Sequence, residues 1–296
     1  MIPVLDLAAA PPAELAARID EALTGTGFFA VTGHGVPDAV VLGGFDAGRR
    51  FFALPEATKE RWHIDANHRG FDPIGWQALD PAQPPDLKES FYLGVEAIAP
   101  NRWPDEALLP GFRAACEAYS AAMRALAGRL LGLFELALGL PAGHFDAFTR
   151  HPTCTTRLLH YPPQPATAAP GQIGCGAHTD WGALTLLAQS DAGGLQVQHA
   201  QGHWLDVPPL PGAYVVNIGD MMQRWTNDRW RSTVHRVVNR FGGRERWSIA
   251  YFFDLDAEAN ILPLPTCVSA QRPARYGPIT AGEHLVAMYK KTTVVA

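Results

Sequence analysis

Residues 174–188, GCGAHTDWGALTLLA, and residues 232–238, STVHRVV, decide the reading of this chain. In the first, a short apolar run ends at Ala177, polar and glycine residues interrupt it, and a second apolar run fills 183–188. Short apolar or alternating runs broken by Gly, Pro, Asn and Asp are how packed antiparallel strands and their turns look. The texture begins after about Pro152 and predicts eight strands: 155–160, 173–177, 183–188, 195–198, 203–207, 213–218, 232–238 and 247–253. Eight strands at this spacing favour a sandwich, jelly roll or barrel.

Upstream the period changes. Leu15, Ile19 and Leu23 mark an amphipathic helix over 11–23, and the apolar stretch 28–31 reads as a strand. Residues 38–61 are helical in pattern with an interruption near Pro55, where proline favours a fresh start. Phe112, Cys116, Tyr119, Met123, Leu126, Leu130 and Phe134 step by three or four residues and so share one helical face. Helices gathered towards the amino terminus, followed by strands, give an α+β class rather than βαβ winding. No repeat or Pro/Gly/Ser linker divides the chain, so one domain is expected over 1–296, with a mainly helical support region at 1–150, a strand-rich core at 152–256 and a C-terminal segment at 257–296.

A formal charge of -5, from 24 basic and 29 acidic side chains, leaves no electrostatic footprint for nucleic acid or an anionic membrane. A small molecule is the expected partner, and oligomeric state is not legible. The opening residues show no basic segment followed by an apolar one, so a cytoplasmic protein is expected. Cys116, Cys154, Cys175 and Cys267 are scattered and read as buried free thiols.

His178 and Asp180 are two apart, and in extended chain such residues point to one side. An imidazole beside a carboxylate suits a divalent metal, but a third ligand must come from elsewhere. His235 lies 55 residues beyond Asp180, enough chain to return round a barrel. A 2-His-1-carboxylate triad leaves adjacent positions open, the arrangement of non-haem iron(II) oxygenases. Arg246 and Ser248 are likewise two apart in a predicted strand. A buried guanidinium there would want a planar anion. The alternative is a surface arginine paired with Glu245 or Asp254.

The stretches IPVLDL, GFFAVTGHGVP, RRFFALP, DLKESFYLG, LLHYPP, GAHTDWGALTLLAQ, GGLQVQ, VVNIGDMMQRWTNDRWRSTVHRVVN and RERWSIAYFF run in order through nearly the whole chain. With them the sequence resembles the isopenicillin N synthase-like branch of the iron(II)/2-oxoglutarate dioxygenases. The resemblance implies a double-stranded β-helix (jelly-roll) core of about eight antiparallel strands buttressed by helices. It also implies Fe(II) on His178, Asp180 and His235, and 2-oxoglutarate held by Arg246, Ser248 and Tyr161. With dioxygen, 2-oxoglutarate would be converted to succinate and carbon dioxide while a small organic substrate is hydroxylated, desaturated or ring-closed. Trp181 is a candidate wall of the substrate pocket, and Arg69 and Phe71 of HRGFDPIGW lie in a loop that approaches the active site in relatives. His34 is expected to be structural, and His160 to face away from the metal. One departure stands out: Leu159-His160-Tyr161-Pro162 replaces the Asn-Tyr-Tyr-Pro of many members. Two alternatives stay open: an oxidase that binds its substrate's own carboxylate on the R-x-S pair, and a non-catalytic binding module. A zinc hydrolase is disfavoured, since no nearby Glu is placed as general base.

Overall fold

The computed structural model describes residues 1–78, 83–239 and 243–292. Before the long central helix the chain forms β1 (Val4–Asp6), α1 (Pro12–Gly25), β2 (Phe28–Thr32), α2 (Asp38–Phe52), α3 (Glu56–Lys59), β3 (Gly70–Asp72) and β4 (Glu89–Gly94). That helix is α4 (Phe112–Leu138). There follow β5 (Cys154–Tyr161), β6 (Cys175–His178), β7 (Leu184–Gln189), β8 (Leu195–Gln198), β9 (Trp204–Asp206), β10 (Tyr214–Ile218), α5 (Asp220–Trp225), β11 (His235–Val237) and β12 (Arg246–Phe253). The chain closes with β13 (Asn260–Ile261), β14 (Ile279–Thr280) and α6 (Ala281–Thr292).

The helices form where the periodicity predicts. α4 buries all seven residues of its expected stripe, and Gly111 and Gly139 bound it in left-handed conformations that glycine adopts without strain. α2 ends before Pro55 and α3 restarts after it. Gly44 of α2 allows close contact, since a Cβ there would lie 3.0 Å from both Ile249 Cδ1 and the Tyr119 ring.

Eight strands make the major sheet in the order β1-β2-β10-β7-β12-β5-β4-β3, and four make the minor sheet in the order β6-β11-β8-β9. Antiparallel pairing dominates, as a jelly roll requires, with only β1 and β2 parallel among the named pairs. β5 and β12 pair along their whole length, Arg246 opposite Tyr161 and Ala250 opposite Arg157. Alternation then sorts their side chains. Leu158, Ile249 and Tyr251 join one core cluster with α1, α2 and α4, whereas Leu159, Tyr161 and Ala250 join a second with Leu195, Val197 and Val237 of the minor sheet. The second cluster surrounds the site.

Each of the eight predicted strands exists, with ends shifted by a few residues. Strand 232–238 shrinks to β11, His235–Val237, which carries a register irregularity against β6 between its two ends. The amino-terminal part contributes more than helices and one strand: β1, β3 and β4 also extend the major sheet. β4 escaped the pattern because its polar residues are buried on both faces, Glu89 against Lys59 and His160, and Ser90 against Arg157. α5 and α6, within and after the strand region, were not anticipated either. All four cysteines are buried and free.

Candidate active site

His178 closes β6 and His235 opens β11, and the two are direct cross-strand partners with ring centroids 4.3 Å apart. Asp180 follows in the turn, its Oδ1 4.0 Å from His178 Nε2 and 3.8 Å from His235 Nε2. One donor atom from each lies within 4.8 Å of the others, and no other such group of three exists among the described residues.

The surroundings aim these atoms. His178 Nδ1 donates to Gly176 O (2.8 Å) and His235 Nδ1 to Thr233 O (3.1 Å). A carbonyl can only accept, so both Nδ1 atoms carry the proton and both Nε2 lone pairs face Asp180. Asp180 Oδ2 accepts from Thr185 Oγ1 and Asn217 Nδ2, each at 2.7 Å, leaving Oδ1 towards the histidines. Burial lowers the pKa of both imidazoles, and Asp180 restores only part of it. Burial alone would raise the Asp180 carboxyl, but the two histidines and the Asn217 and Thr185 hydrogen bonds outweigh it and hold it below the usual range. At neutral pH the set is two neutral imidazoles and a carboxylate, the protonation state a divalent metal needs. The donor set fits Fe(II).

Arg246 is completely buried, which overturns the surface alternative. Its Nε donates to Gly193 O (2.8 Å), Nη1 to Ser248 Oγ (3.1 Å) and Nη2 to Gln189 Oε1 (2.9 Å), and its Cζ lies 4.6 Å from the centre of the Tyr161 ring. Every one of these partners is neutral. Burial pulls the guanidinium pKa down, and Tyr161 offsets only part of that. A buried cation with no anion beside it among the described residues fits an incoming carboxylate. Glu245 instead faces His160 (3.5 Å), and Asp254 accepts from the Ala183 amide (3.2 Å).

The triad, Arg246, Ser248 and Tyr161 line one cavity with about 540 Å³ of empty space, partly open to solvent. Leu159 lines it too, opposite Ser248 in register, so the departure at this position puts an apolar wall where many members have a polar one.

Three further candidates from the sequence lie outside this lining. Arg69 does not line the cavity: its guanidinium packs so closely on Gly94 that a Cβ there would overlap it, and Nη1 donates to Asn67 O (2.9 Å) and His68 O (3.2 Å). Phe71 belongs to an aromatic cluster, 5.8 Å from the Phe51 ring and 5.0 Å from Lys59 Nζ. Trp181 is half-buried outside the cavity lining, its carbonyl accepting from His284 Nε2 (3.0 Å) and the Met221 amide (3.1 Å). His34 is structural as expected, bridging Gly212 O (2.9 Å) and the Val36 amide (3.1 Å). His160 faces Glu89 (2.7 Å) and stacks on Trp247, away from the metal.

Four polar residues of the site went unread: Thr185, Gln189, Asn217 and Arg157. Asn217 had a signal, a lone amide inside the apolar run YVVNI. Arg157 had another, since it shares strand parity with Leu159 and Tyr161.

Two histidines, one carboxylate and an open cavity beside them define a mononuclear non-haem metal oxygenase site. The description of the 2OG-Fe(II) oxygenase superfamily matches residues 152–255, and that of the non-haem dioxygenase in morphine synthesis N-terminal region matches 2–106. The chain is 38% identical over 318 residues to the 2-oxoglutarate-Fe(II) type oxidoreductase hxnY of Emericella nidulans, covering 98% of this chain and 90% of the relative. It is 41% identical over 262 residues to the 2-oxoglutarate-dependent dioxygenase citB of Monascus ruber, covering 82% and 79%. A full-length Neurospora crassa protein, crystallised in complex with alpha-KG, superposes with a TM-score of 0.91 at 31% identity, covering 98% and 96%. The chain therefore belongs to the 2OG-Fe(II) oxygenase superfamily, oxidoreductases that use Fe(II), 2-oxoglutarate and dioxygen. No helix among the described residues is long and apolar enough to cross a membrane.

Proposed function

We propose that this cavity oxidises a small organic molecule, by hydroxylation in the simplest case, with His178, Asp180 and His235 holding Fe(II) and Arg246, Ser248 and Tyr161 holding the distal carboxylate of 2-oxoglutarate. The observation that carries this reading is the pairing, in one cavity, of a preoriented triad with a fully buried arginine whose hydrogen-bond partners among the described residues are all neutral. Bound Fe(II) would supply the chemistry in which dioxygen and 2-oxoglutarate become succinate and carbon dioxide while one oxygen atom enters a C–H bond of the substrate.

The chain's own residues do the rest. Thr185 and Asn217 fix which carboxylate oxygen of Asp180 is offered, and the Gly176 and Thr233 carbonyls keep both Nε2 atoms unprotonated. Arg246 orients the cosubstrate from the far end of the cavity. Phe28, Leu187, Leu195 and Phe252 line the remaining wall and limit water. A small substrate is also supported by the Neurospora crassa protein, which has been solved with thymine and with 5-formyluracil. We further read the chain as one cytoplasmic domain, a reading supported by the amino-terminal strands' place in the sheet that carries the site and by four free thiols.

Anaerobic titration tests the site. Wild-type protein should take up Fe(II) and 2-oxoglutarate with a visible charge-transfer band, and His235→Ala should lose it. Product formed without stoichiometric succinate would favour the oxidase alternative, and absence of affinity for either ligand would favour a binding module.

A further inference from the structure

Arg157 is the charged cavity residue to which the iron and cosubstrate reading gives no task. It shares the cavity face of β5 with Leu159 and Tyr161, and at ~3.3 Å of rise per residue it stands ~13 Å along the strand from Tyr161. Its side chain is 11% exposed. Nη2 donates to Gln77 Oε1 (2.9 Å) and Ser90 Oγ (3.0 Å), and the guanidinium lies over the Tyr92 ring, 4.5 Å from its centre. Nε is buried with no partner among the described residues. A buried N–H without an acceptor is rare in native proteins and points to a missing partner.

Two buried cations, Arg157 and Lys88, share this corner with two carboxylates, Asp72 and Asp86. Asp72 approaches Nη2 to 3.5 Å and does not reach Nε, and its Oδ1 has no partner among the described residues. Lys88 is buried against Asp86, whose other oxygen takes the Gly176 amide (2.8 Å), and Lys88 and Arg157 repel each other. The cavity wall around Arg157 is otherwise apolar, with Leu159, Leu187, Ala250 and Phe252.

We propose that Arg157 anchors the substrate, taking a carboxylate oxygen on Nε, and that the substrate is a small monocarboxylic acid whose apolar remainder rests on Leu187, Ala250 and Phe252. This rests on the reading of the iron and 2-oxoglutarate site given above. It separates two anion subsites in one cavity: Arg246 for the cosubstrate and Arg157 for the substrate. Arg157 is a specificity-determining residue in this scheme and moves no proton.

The test uses protein loaded anaerobically with Fe(II) and 2-oxoglutarate, each verified by titration first. Benzoate, phenylacetate, phenylpropanoate, cinnamate and octanoate are added, each beside its primary amide, and binding is read by calorimetry and by the rise in thermal midpoint. At least one acid should bind about tenfold tighter than its amide, and Arg157→Gln should erase that preference while changing amide affinity by less than about threefold. Arg157→Lys should restore part of the preference. Acids and amides bound equally by the wild type, no acid of the set bound, or a preference that survives Arg157→Gln would each overturn the proposal. Should Arg157→Gln fail to fold, the wild-type comparison and Arg157→Lys decide. A wild type that takes up neither Fe(II) nor 2-oxoglutarate would defeat the underlying site reading instead, and this is seen before any acid is added.

Discussion

On β5 and β12 the residues that face the helices and those that face the cavity alternate one by one, and the two sets obey opposite rules. Leu158, Ile249 and Tyr251 face the helices and fill space against α2 and α4. Arg157, Tyr161, Arg246 and Ser248 face the cavity and carry charge or hydroxyl groups into a buried place. The first set stabilises by leaving water. The second costs stability, because its charges are taken out of water: Arg246 has no anion beside it among the described residues, and Arg157 has Asp72 at 3.5 Å. Fold and chemistry are thus separated by a single step along the strand, and substitutions on the two faces should have separable consequences.

The largest effect belongs to the cavity. Asp180→Ala should abolish Fe(II) uptake and lower turnover by about a thousandfold or more, as expected when one member of a cooperating unit is lost. Its chemical denaturation midpoint should stay near that of the wild type. A protein that kept its iron would break the comparison at its strongest point.

Ile249→Ala, on the helix face, should do the reverse. It should cost about 2–5 kcal/mol of stability, the range for truncating a buried isoleucine. Affinity of the folded fraction for 2-oxoglutarate should stay within about twofold. Urea denaturation beside ligand titration measures both.

Arg246→Gln should weaken 2-oxoglutarate binding by about a hundredfold, some 2.7 kcal/mol. Without ligand, its thermal midpoint should equal or exceed that of the wild type, since a buried charge has been removed. A large drop in the ligand-free midpoint would show Arg246 to be a structural residue after all.

The smallest effect sits where the two faces meet. Asp254 follows β12 and is packed against Gly182, and burial pushes its carboxyl up to about 7 although the Ala183 amide pulls the other way. An unfolded aspartate titrates near 3.8. Between about pH 4 and 7 the folded protein therefore holds a proton the unfolded chain has released, and stability should fall as pH rises through that window and level off above it. Asp254→Asn keeps an oxygen for the Ala183 amide and should flatten this slope, which thermal melts across pH would reveal.

The same alternation explains what the sequence could tell. His178 with Asp180, and Arg246 with Ser248, were legible because a spacing of two in an extended segment puts both groups on one face, whatever the strand's neighbours. The walls of the cavity were not, because a wall is made by pairing. Arg157 matters because β4 lies beside β5 and brings Ser90 to it, and β4 carries no alternation to betray its position. Arg69 and Phe71 were singled out through the resemblance and not through any spacing, and here Gly94 and Phe51 draw them into packing. Trp181 follows a metal ligand directly but is not among the residues that line the cavity.

Both metal-facing histidines donate their orienting hydrogen bond to a main-chain carbonyl two residues earlier, Gly176 for His178 and Thr233 for His235. No side chain at those positions is needed to supply the acceptor. The ring orientation is therefore robust to point mutation there: a change at either position alters size or polarity but leaves the carbonyl in place. A lineage of such proteins can vary the strands around the metal, and with them the substrate, while each histidine keeps its tautomer by construction.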